Sequence, residues 1–145
     1  MGLKMEFSIE GDKQISAELG ITADHLSDFS KTMKDSADAM MTAVEDNYDQ
    51  RGKRFKGWDP RKPTTPPSTH PLLEKTGKMR GAMYQDSGKD FAMVANRDPK
   101  FPYHQSNQPR SKIPRRIMLM IDDRLRTEIF KIFQEYIVYS LRGKR

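Results

Sequence analysis

The three histidines are the side chains best suited to metal binding or acid–base chemistry in this sequence, which contains no cysteine. His25, His70 and His104 lie far apart, and none forms the i, i+4 pair or the His-x-x-Glu pattern that holds zinc or iron. Without cysteine there is also no disulfide framework and no thiolate chemistry. The sequence therefore predicts neither a metal site nor a cofactor.

Nucleophilic catalysis requires a Ser, Thr or Lys beside a base that is itself oriented. The chain has no Gly-x-Ser-x-Gly elbow and neither of the glycine-rich loops that cradle nucleotide phosphates. Its Thr76-Gly77 and Ser87-Gly88 pairs are typical of turns. An enzyme is the least favoured class, no catalytic residue is assigned, and His104 is interpreted as a hydrogen-bonded structural side chain.

Lysine and arginine supply the most conspicuous clusters. The net charge of +6 divides into −7 for residues 1–50 and +13 for residues 51–145. Such a split can attract DNA phosphates or another copy of the chain. Because no helix-turn-helix, zinc finger or RNP-type strand accompanies the clusters, the nucleic-acid alternative is non-specific contact, for instance in a DNA channel. The residues available to such a channel or to an acidic partner are Arg110, Lys112, Arg115 and Arg116.

The length of 145 residues fits a single domain over residues 1–145 with one modest core. With 35% hydrophobic and 32% charged residues, either much of the chain is solvated or a partner covers part of it. No stretch approaches the ~20 apolar residues of a membrane span, and the first residues do not form a secretory signal. We expect cytoplasmic synthesis and no membrane contact.

The elements that position these residues follow from apolar periodicity. Residues 3–9, "LKMEFSI", alternate as in a half-buried strand. From Thr22, a candidate N-cap, apolar residues recur every three or four positions to Tyr48, which predicts an amphipathic helix that stops near Gly52. Residues 79–85 and 90–95 flank the turn signal "DSGK" and predict a hairpin.

Residues 51–71, "RGKRFKGWDPRKPTTPPSTHP", hold five of the nine prolines and six Lys/Arg against one acid. Proline removes backbone donors and forbids helix, so this segment is predicted to be an extended arm or loop. Its large apolar anchors are Phe55 and Trp58. They could clamp the arm onto an adjacent protomer, as aromatic anchors do at interfaces, or pin the loop to its own core.

The last helix, capped by Asp122 or Asp123 and running to about Leu141, has an apolar arc of roughly 200°, about twice the width of an ordinary core-facing stripe. A neighbouring subunit is the simplest cover for so wide a face, although the sheet and the first helix could instead clasp it from two sides. The candidate subunit-interface residues are Phe55, Trp58, Phe130, Phe133, Tyr139 and Leu141.

Three separated segments resemble the virion morphogenesis family of tailed bacteriophages, the Mu-like and P2-like tail-completion proteins. "RFKGWDPRKP" resembles the family's Phe...Trp-x-Pro-like segment, and "PLLEKTGKMRGAM" resembles its Leu-x-x-Thr-Gly-x-Leu motif with Met79 in the Leu place. "YHQSNQ...IPRRIML" resembles its Tyr...His-Gln-x-Gly...Ile-Pro-x-Arg segment, with Ser106-Asn107 where the glycine usually follows. The matching positions are Thr76, Gly77, Tyr103, His104, Gln105, Ile113, Pro114 and Arg116.

The resemblance implies an α+β fold, with a small antiparallel β-sheet, a long amphipathic N-terminal helix and a C-terminal helix packed on it, and a long Pro-rich arm or loop. It implies a non-enzymatic structural protein, related to tail-terminator and neck proteins, that forms a homo-oligomeric ring of an expected six copies. That ring would complete the tail tube and join it to the head connector, in the virion neck after assembly in the host cytoplasm. The alternative is a basic DNA-associated binding protein.

The resemblance also suggests roles for the segment 103–119. Tyr103, His104 and Gln105 are expected to buttress the end of the hairpin, and Ile113 and Pro114 to fix an extended approach to the last helix. Arg115 and Arg116 are expected to turn toward the acidic first helix of a neighbouring subunit or toward a DNA channel.

Overall fold

The computed structural model describes residues 4–8, 28–106 and 113–142, with the backbone alone at 4–8, 141 and 142. The elements in chain order are β1 (Lys4–Ser8), α1 (Ser30–Asp49), α2 (Lys78–Gly81), β2 (Met83–Ser87), β3 (Phe91–Asn96), α3 (Phe101–Gln105) and α4 (Asp123–Arg142). The three strands form one sheet in the order β1-β3-β2. The predicted α+β class, the predicted first strand and the two long helices are therefore confirmed.

The predicted hairpin is present as the antiparallel pair β2 and β3, closed by the amide of Gly88 donating to the carbonyl of Phe91 over 2.9 Å. Its first strand begins at Met83 rather than at 79, because residues 78–81 form the short helix α2. The second strand, β3, lies between the other two strands, and four of its six residues are buried. A central strand is expected to be the most buried of a sheet.

The first helix starts later than predicted. Asp28 and Phe29 precede it, and the Asp28 carboxylate accepts a hydrogen bond of 2.9 Å from the amide of Ser30. A side chain that accepts from the first free amides of a helix stabilises its beginning, so α1 begins at Ser30. The proposed cap Thr22 and His25 lie outside the described residues.

The end of α1 is shaped by two residues with positive φ, Arg51 at 53° and Gly52 at 89°. The amide of Gly52 donates to the carbonyl of Asn47 over 2.7 Å and satisfies one of the free carbonyls at the helix end. A Cβ atom on Gly52 would overlap the ring of Trp58. Only glycine meets both requirements, which explains the predicted stop at this residue.

The chain forms two compact units. The first comprises the described parts of Met1–Met5, Met41–Tyr84 and Val94–Met120, and the second those of Glu6–Met40, Gln85–Met93 and Ile121–Arg145. Each unit has its own buried apolar side chains. Those of the first include Val44, Tyr48, Phe55, Val94, Phe101 and Met118, and those of the second include Phe29, Met33, Met40, Leu125, Ile129 and Phe133.

In the second unit, α4 is capped as predicted, because the Asp122 carboxylate accepts from the amide of Leu125 over 2.8 Å. The ring of Phe29, just before α1, lies 5.8 Å from the Phe133 ring and 5.1 Å from the Tyr136 ring. The Tyr136 hydroxyl donates to the carbonyl of Asp28 over 2.8 Å. These contacts join the start of α1 to the C-terminal half of α4.

Candidate functional site

Residues 113–120 lie before α4 and are called here the 113–120 segment. Side chains from two of the resemblance motifs form hydrogen bonds with its backbone. This segment has no regular structure, as predicted for the approach to the last helix. The carbonyl of Ile117 accepts 2.8 Å and 3.0 Å hydrogen bonds from the Trp58 indole and the Asn47 amide. The Trp58 ring also packs edge-on against Tyr48, with centroids 5.4 Å apart. The loop after α1 is thereby pinned within its own unit.

Gln105, at the end of α3, holds the next two residues of the same segment. Its side-chain carbonyl accepts from the amides of Met118 and Leu119 over 2.7 Å and 3.0 Å, and its NH₂ group donates to the carbonyl of Leu119 over 2.6 Å. Gln105 is buried, and one side chain thus replaces the strand partner that these backbone groups lack. These hydrogen bonds of Gln105 go to the 113–120 segment, and its expected buttressing of the hairpin end stays a prediction.

Arg116 does not turn outward. It is only 7% exposed, and its guanidinium donates to the backbone carbonyls of Asp59 and Pro60 over 3.1 Å and 3.5 Å. Burial lowers the pKa of Arg116, and nearby Arg61 lowers it further while Asp59 opposes the shift. The expectation that Arg116 contacts DNA or a neighbouring subunit is wrong, because its side chain ties the segment to the loop carrying Trp58.

His104 precedes Gln105 on α3 and is half-buried. Its carbonyl accepts from the amide of Arg116 over 2.8 Å, and its ring bonds to the carbonyl of Pro114. The pKa of His104 is lowered, first by burial and then by the Arg116 charge, against the smaller opposing effects of Pro114 and Asp98. Its Nδ1 atom is buried without a hydrogen-bond partner among the described residues. These contacts attach His104 to the same framework as Gln105.

The remaining residues of this region are more exposed. Tyr103 is 46% exposed and Ile113 is 37% exposed. Arg115 is exposed, and its Nε atom donates to the carbonyl of Gln105 over 3.2 Å. Arg110 and Lys112 lie outside the described residues. Of the four basic residues assigned to a DNA channel or acidic partner, Arg115 is therefore the described one that remains at the surface.

The Thr76-Gly77 motif forms the turn into α2, with Gly77 at a φ of 69° and the Thr76 hydroxyl accepting from the amide of Lys78 over 3.4 Å. This turn presents Arg80, which the motif analysis did not single out. Its guanidinium binds the carboxylates of Glu45, Asp49 and Glu74 over 2.6 Å, 2.7 Å and 3.1 Å.

The surroundings of Arg80 favour its charged form. Burial alone would lower the pKa of Arg80, but its hydrogen bonds to Asp49, Glu45 and Glu74 outweigh burial and raise the pKa above its ordinary value. The guanidinium also lies over the Tyr48 ring, 5.4 Å from its centroid. Part of the acidic charge of α1 is thus neutralised within the chain rather than left for a partner.

A serine and a histidine meet in the proline-rich loop. Ser68 Oγ lies 3.0 Å from His70 Nε2, and Arg61 Nη2 lies 3.0 Å from His70 Nδ1. Nδ1 also lies 3.0 Å from the carbonyl of Pro71, which can only accept, whereas the Arg61 guanidinium can only donate, so each tautomer satisfies one of these two contacts. Nε2 accepts from the Ser68 hydroxyl in one tautomer and donates to it in the other.

Exposed aromatic residues mark the second unit. Phe130 and Tyr139 of α4 are 67% and 76% exposed, whereas Leu125, Ile129 and Phe133 of the same helix are buried. Beside Tyr139 lies a groove of about 450 Å³, the α1/α4 groove. Its lining includes Lys31, Asp35, Ile132, Glu135, Tyr136 and Tyr139.

The candidate interface residues thus fall into separate classes. Phe55 and Phe133 are each 8% exposed and present little surface to a neighbour, so their assignment to a subunit interface is corrected. Trp58 donates its indole N–H inside the first unit. The side chain of Leu141 lies outside the described residues. Phe130 and Tyr139 are the candidates that the structure leaves at the surface.

Within residues 4–8, 28–106 and 113–142 no group of three or more His, Asp or Glu side chains could hold a metal ion. No helix of this described part is long and apolar enough to cross a membrane. Comparison of the chain with protein-family models, with curated proteins and with solved structures gives no match.

Two features of the site were missed by the sequence analysis. Asn47 lies in the acidic first helix and was not identified as a site residue. It is fully buried, its NH₂ group donates to the carbonyl of Ile117, and its side-chain oxygen accepts from the amide of Phe55. Its spacing from buried Val44 and Tyr48 places it on the apolar face of α1, which was the available signal. Arg80 gave no such signal, because two of its three carboxylate partners, Glu45 and Asp49, lie 35 and 31 residues away in sequence.

Proposed function

We propose that the chain is a non-enzymatic structural protein of a tailed bacteriophage. In this proposal it forms a homo-oligomeric ring, of six copies by the family resemblance, in the virion neck. The ring completes the tail tube and meets the head connector, and the chain is present in the host cytoplasm during assembly.

The observation that carries the proposal is the common framework of two resemblance motifs. The Trp58 loop and the Gln105 segment both end in hydrogen bonds to residues 117–119. Every one of these bonds joins a side chain to backbone, so they fix the path of irregular segments. Motifs that hold backbone in place are what an assembly component requires, since its function is to present a shaped surface.

Self-association is supported by the exposed aromatic residues. Phe130 and Tyr139 are exposed on a helix that also exposes Val138 and buries Leu125, Ile129 and Phe133. Aromatic residues of this kind are enriched at the centres of protein interfaces. A neighbouring copy in a ring would cover them.

The second candidate, a basic DNA-associated protein, is favoured by one observation. Four basic residues of the loop after α1 are exposed, namely Arg51, Lys53, Lys56 and Lys62. They could neutralise phosphates without reading sequence. Arg116, which was expected to contact a DNA channel, is buried and contributes nothing to this surface.

Light scattering coupled to size-exclusion chromatography, with and without duplex DNA, separates the two candidates. The proposal expects self-association that does not require DNA. A strictly monomeric chain that binds duplex DNA tightly, with affinity falling steeply as salt rises, supports the second candidate.

An assembly experiment tests the proposed function directly. Phage particles made without this chain are expected to accumulate as filled heads and separate tails, and the purified chain is expected to restore joined particles. Joined, infectious particles in the absence of the chain would refute the proposal.

A further inference from the structure

We propose that the turn after α1, residues 51–57 and called here the basic turn, binds the phosphate backbone of duplex DNA without reading its sequence. The inference goes beyond the proposed structural function and does not depend on it. It differs from the second candidate above because it adds a DNA contact to the structural role instead of replacing that role. It is carried by three observations on the first unit: the charges of the turn, its ordered backbone, and the burial of its aromatic side chains.

The first observation is that the basic turn carries cations without internal partners. The acid before the turn, Asp49, is already bound by Arg80 over 2.7 Å. The next acid along the chain is Asp59, after the turn. Three exposed basic side chains between these acids form no hydrogen bond or ion pair with a described residue, namely Arg51, Lys53 and Lys56. Their positive charge is therefore available to an anion outside the chain.

A simpler role for these cations would be to compensate the C-terminal end of α1, where free carbonyls favour positive charge. Those carbonyls already have backbone partners. The carbonyl of Asn47 accepts from the amide of Gly52 over 2.7 Å, and that of Tyr48 accepts from the amide of Arg51 over 3.0 Å. The helix end is thus satisfied without the basic side chains.

The second observation is the ordered backbone that carries the charges. The carbonyl of Gly52 accepts hydrogen bonds from three amides of the turn over 3.2 Å, 3.3 Å and 2.7 Å, those of Phe55, Lys56 and Gly57. Phe55 is 8% exposed, and its amide also donates to the side-chain oxygen of Asn47 over 3.1 Å. Cations on an ordered turn lose less conformational freedom on binding than cations on a flexible arm.

The third observation, the burial of the aromatic side chains, selects the partner. Phe55 is buried, and Trp58 is half-buried with its indole N–H bonded to the carbonyl of Ile117. Protein interfaces centre on aromatic side chains and are depleted in lysine, and single-stranded nucleic acid stacks its bases on aromatic rings. The basic turn presents cations instead. Duplex DNA fits such a surface, because its phosphates are bound by Lys and Arg without apolar contact.

Fluorescence anisotropy with labelled duplex DNA and the full chain tests the inference. The test variant combines Arg51→Asn, Lys53→Gln and Lys56→Gln. Asparagine is used at 51 because this residue has a φ of 53°, which asparagine tolerates. The matched control removes three exposed charges elsewhere in the first unit, by Lys75→Gln, Lys78→Gln and Lys100→Gln. Both variants should keep the circular dichroism spectrum of the unchanged chain, since every altered side chain is exposed.

The unchanged chain should bind duplex DNA with a Kd of about 10⁻⁶–10⁻⁴ M near physiological salt, the range of non-specific binding. Each phosphate contact adds about 0.9 to the slope of log affinity against log salt. The test variant should therefore have a slope shallower by about 2.7, whereas the control should keep the original slope. Two duplexes of unrelated sequence should bind equally.

Several results would overturn the inference. Equal loss of slope in the two variants would mean that binding follows net charge and not the basic turn. Absence of duplex binding, together with failure of the test variant to assemble into particles, would assign the turn to an acidic protein. Tighter binding of single-stranded DNA through the same residues would assign it to single strands.

Photocrosslinking provides an independent measurement, because the chain has no cysteine of its own. Lys56→Cys and Lys75→Cys each remove one exposed lysine and provide one thiol for a photoreactive label. Duplex DNA should be crosslinked several-fold more from position 56 than from position 75. Equal yields from the two positions would contradict binding at the basic turn.

The outcomes separate this inference from the proposed function. If the chain joins heads to tails but the basic turn does not bind DNA, the inference is wrong and the function stands. If the turn binds DNA but joined particles form without the chain, the function is wrong and the inference stands.

Discussion

The indole of Trp58 and the side-chain amide of Asn47 donate to the same backbone carbonyl, that of Ile117. One residue comes from the proline-rich loop and the other from the buried face of α1. Their shared acceptor fixes the loop, the helix end and the segment before α4 as one framework.

Gly52→Ala is expected to disturb the packing of Trp58. Both Gly52 and Gly57 have positive φ, but only at Gly52 would a Cβ overlap the indole ring. Gly57→Ala is the matched control and should cost about 1–2 kcal/mol from backbone strain. Gly52→Ala should cost about 1–3 kcal/mol more. Urea unfolding followed by the fluorescence of the single tryptophan measures both, and equal losses would contradict the prediction.

Gln105→Ala is expected to destabilise the chain by about 3 kcal/mol, because it leaves the buried amides of Met118 and Leu119 without acceptors. Gln134→Ala, at an exposed position of α4, should stay within about 0.5 kcal/mol. Thermal unfolding of both variants measures the difference. A loss at Gln105 no larger than that at Gln134 would show that the framework does not depend on this side chain.

His104 is expected to make stability depend on pH. Its pKa is lowered in the folded chain from the ordinary value of 6.5, by burial and by Arg116, so below pH 6.5 the unfolded chain binds a proton that the folded chain does not. Neutral His104 therefore makes its full contribution to the free energy of unfolding above pH 6.5. This contribution is lost as the pH falls below 6.5. His104→Gln should flatten this decline between pH 7.5 and 5.5 in urea titrations. If the loss of stability on acidification is unchanged in this variant, other titrating groups cause it.

Arg80→Ala is expected to cost about 1–2 kcal/mol, allowing for solvent screening of the partly exposed carboxylates of Glu45, Asp49 and Glu74. Without the guanidinium these carboxylates repel one another, so the loss should grow as salt is lowered. Lys31→Ala, which removes an exposed pair with Asp35, should cost no more than about 0.5 kcal/mol. Denaturant unfolding at two salt concentrations tests both statements, and a salt-independent loss at Arg80 would contradict them.

Phe130→Asp and Tyr139→Asp are each expected to give a folded chain that does not assemble. Both side chains are exposed, so the circular dichroism spectrum should be unchanged. A buried carboxylate in the interface would prevent association. Thr69→Asp adds the same charge at an exposed loop position and should assemble normally. Normal assembly of either aromatic variant, with an unchanged spectrum, would count against the interface.

Periodicity predicted the three strands and the two long helices, but not the short helices α2 and α3. The alternation at residues 4–8, the apolar stripe of α1 and the cap at Asp122 all report local chain geometry, and each was found. The start of α1 was predicted too early, because apolar spacing continues through Phe29 although Asp28 already caps the helix. Local patterns locate the helices and strands but not every boundary.

The site could be predicted only in part. The motifs at Trp58, Thr76-Gly77 and Gln105 were identified. The hydrogen-bond partners of Trp58 and Gln105 were not, because those partners lie far away in sequence. Arg116 shows the difficulty best. A basic residue in a loop is ordinarily solvated, and its burial against the carbonyls of Asp59 and Pro60 depends on a tertiary contact that no local pattern encodes.

The separations within the framework set an order for folding during synthesis. The bonds from Asn47 and Trp58 to Ile117 span 70 and 59 residues, so they cannot form until Ile117 has left the ribosome. Contacts between such distant residues must first overcome the entropy of closing long loops. The nascent loop around Trp58 therefore waits, with its aromatic and basic side chains unprotected, until Ile117 emerges.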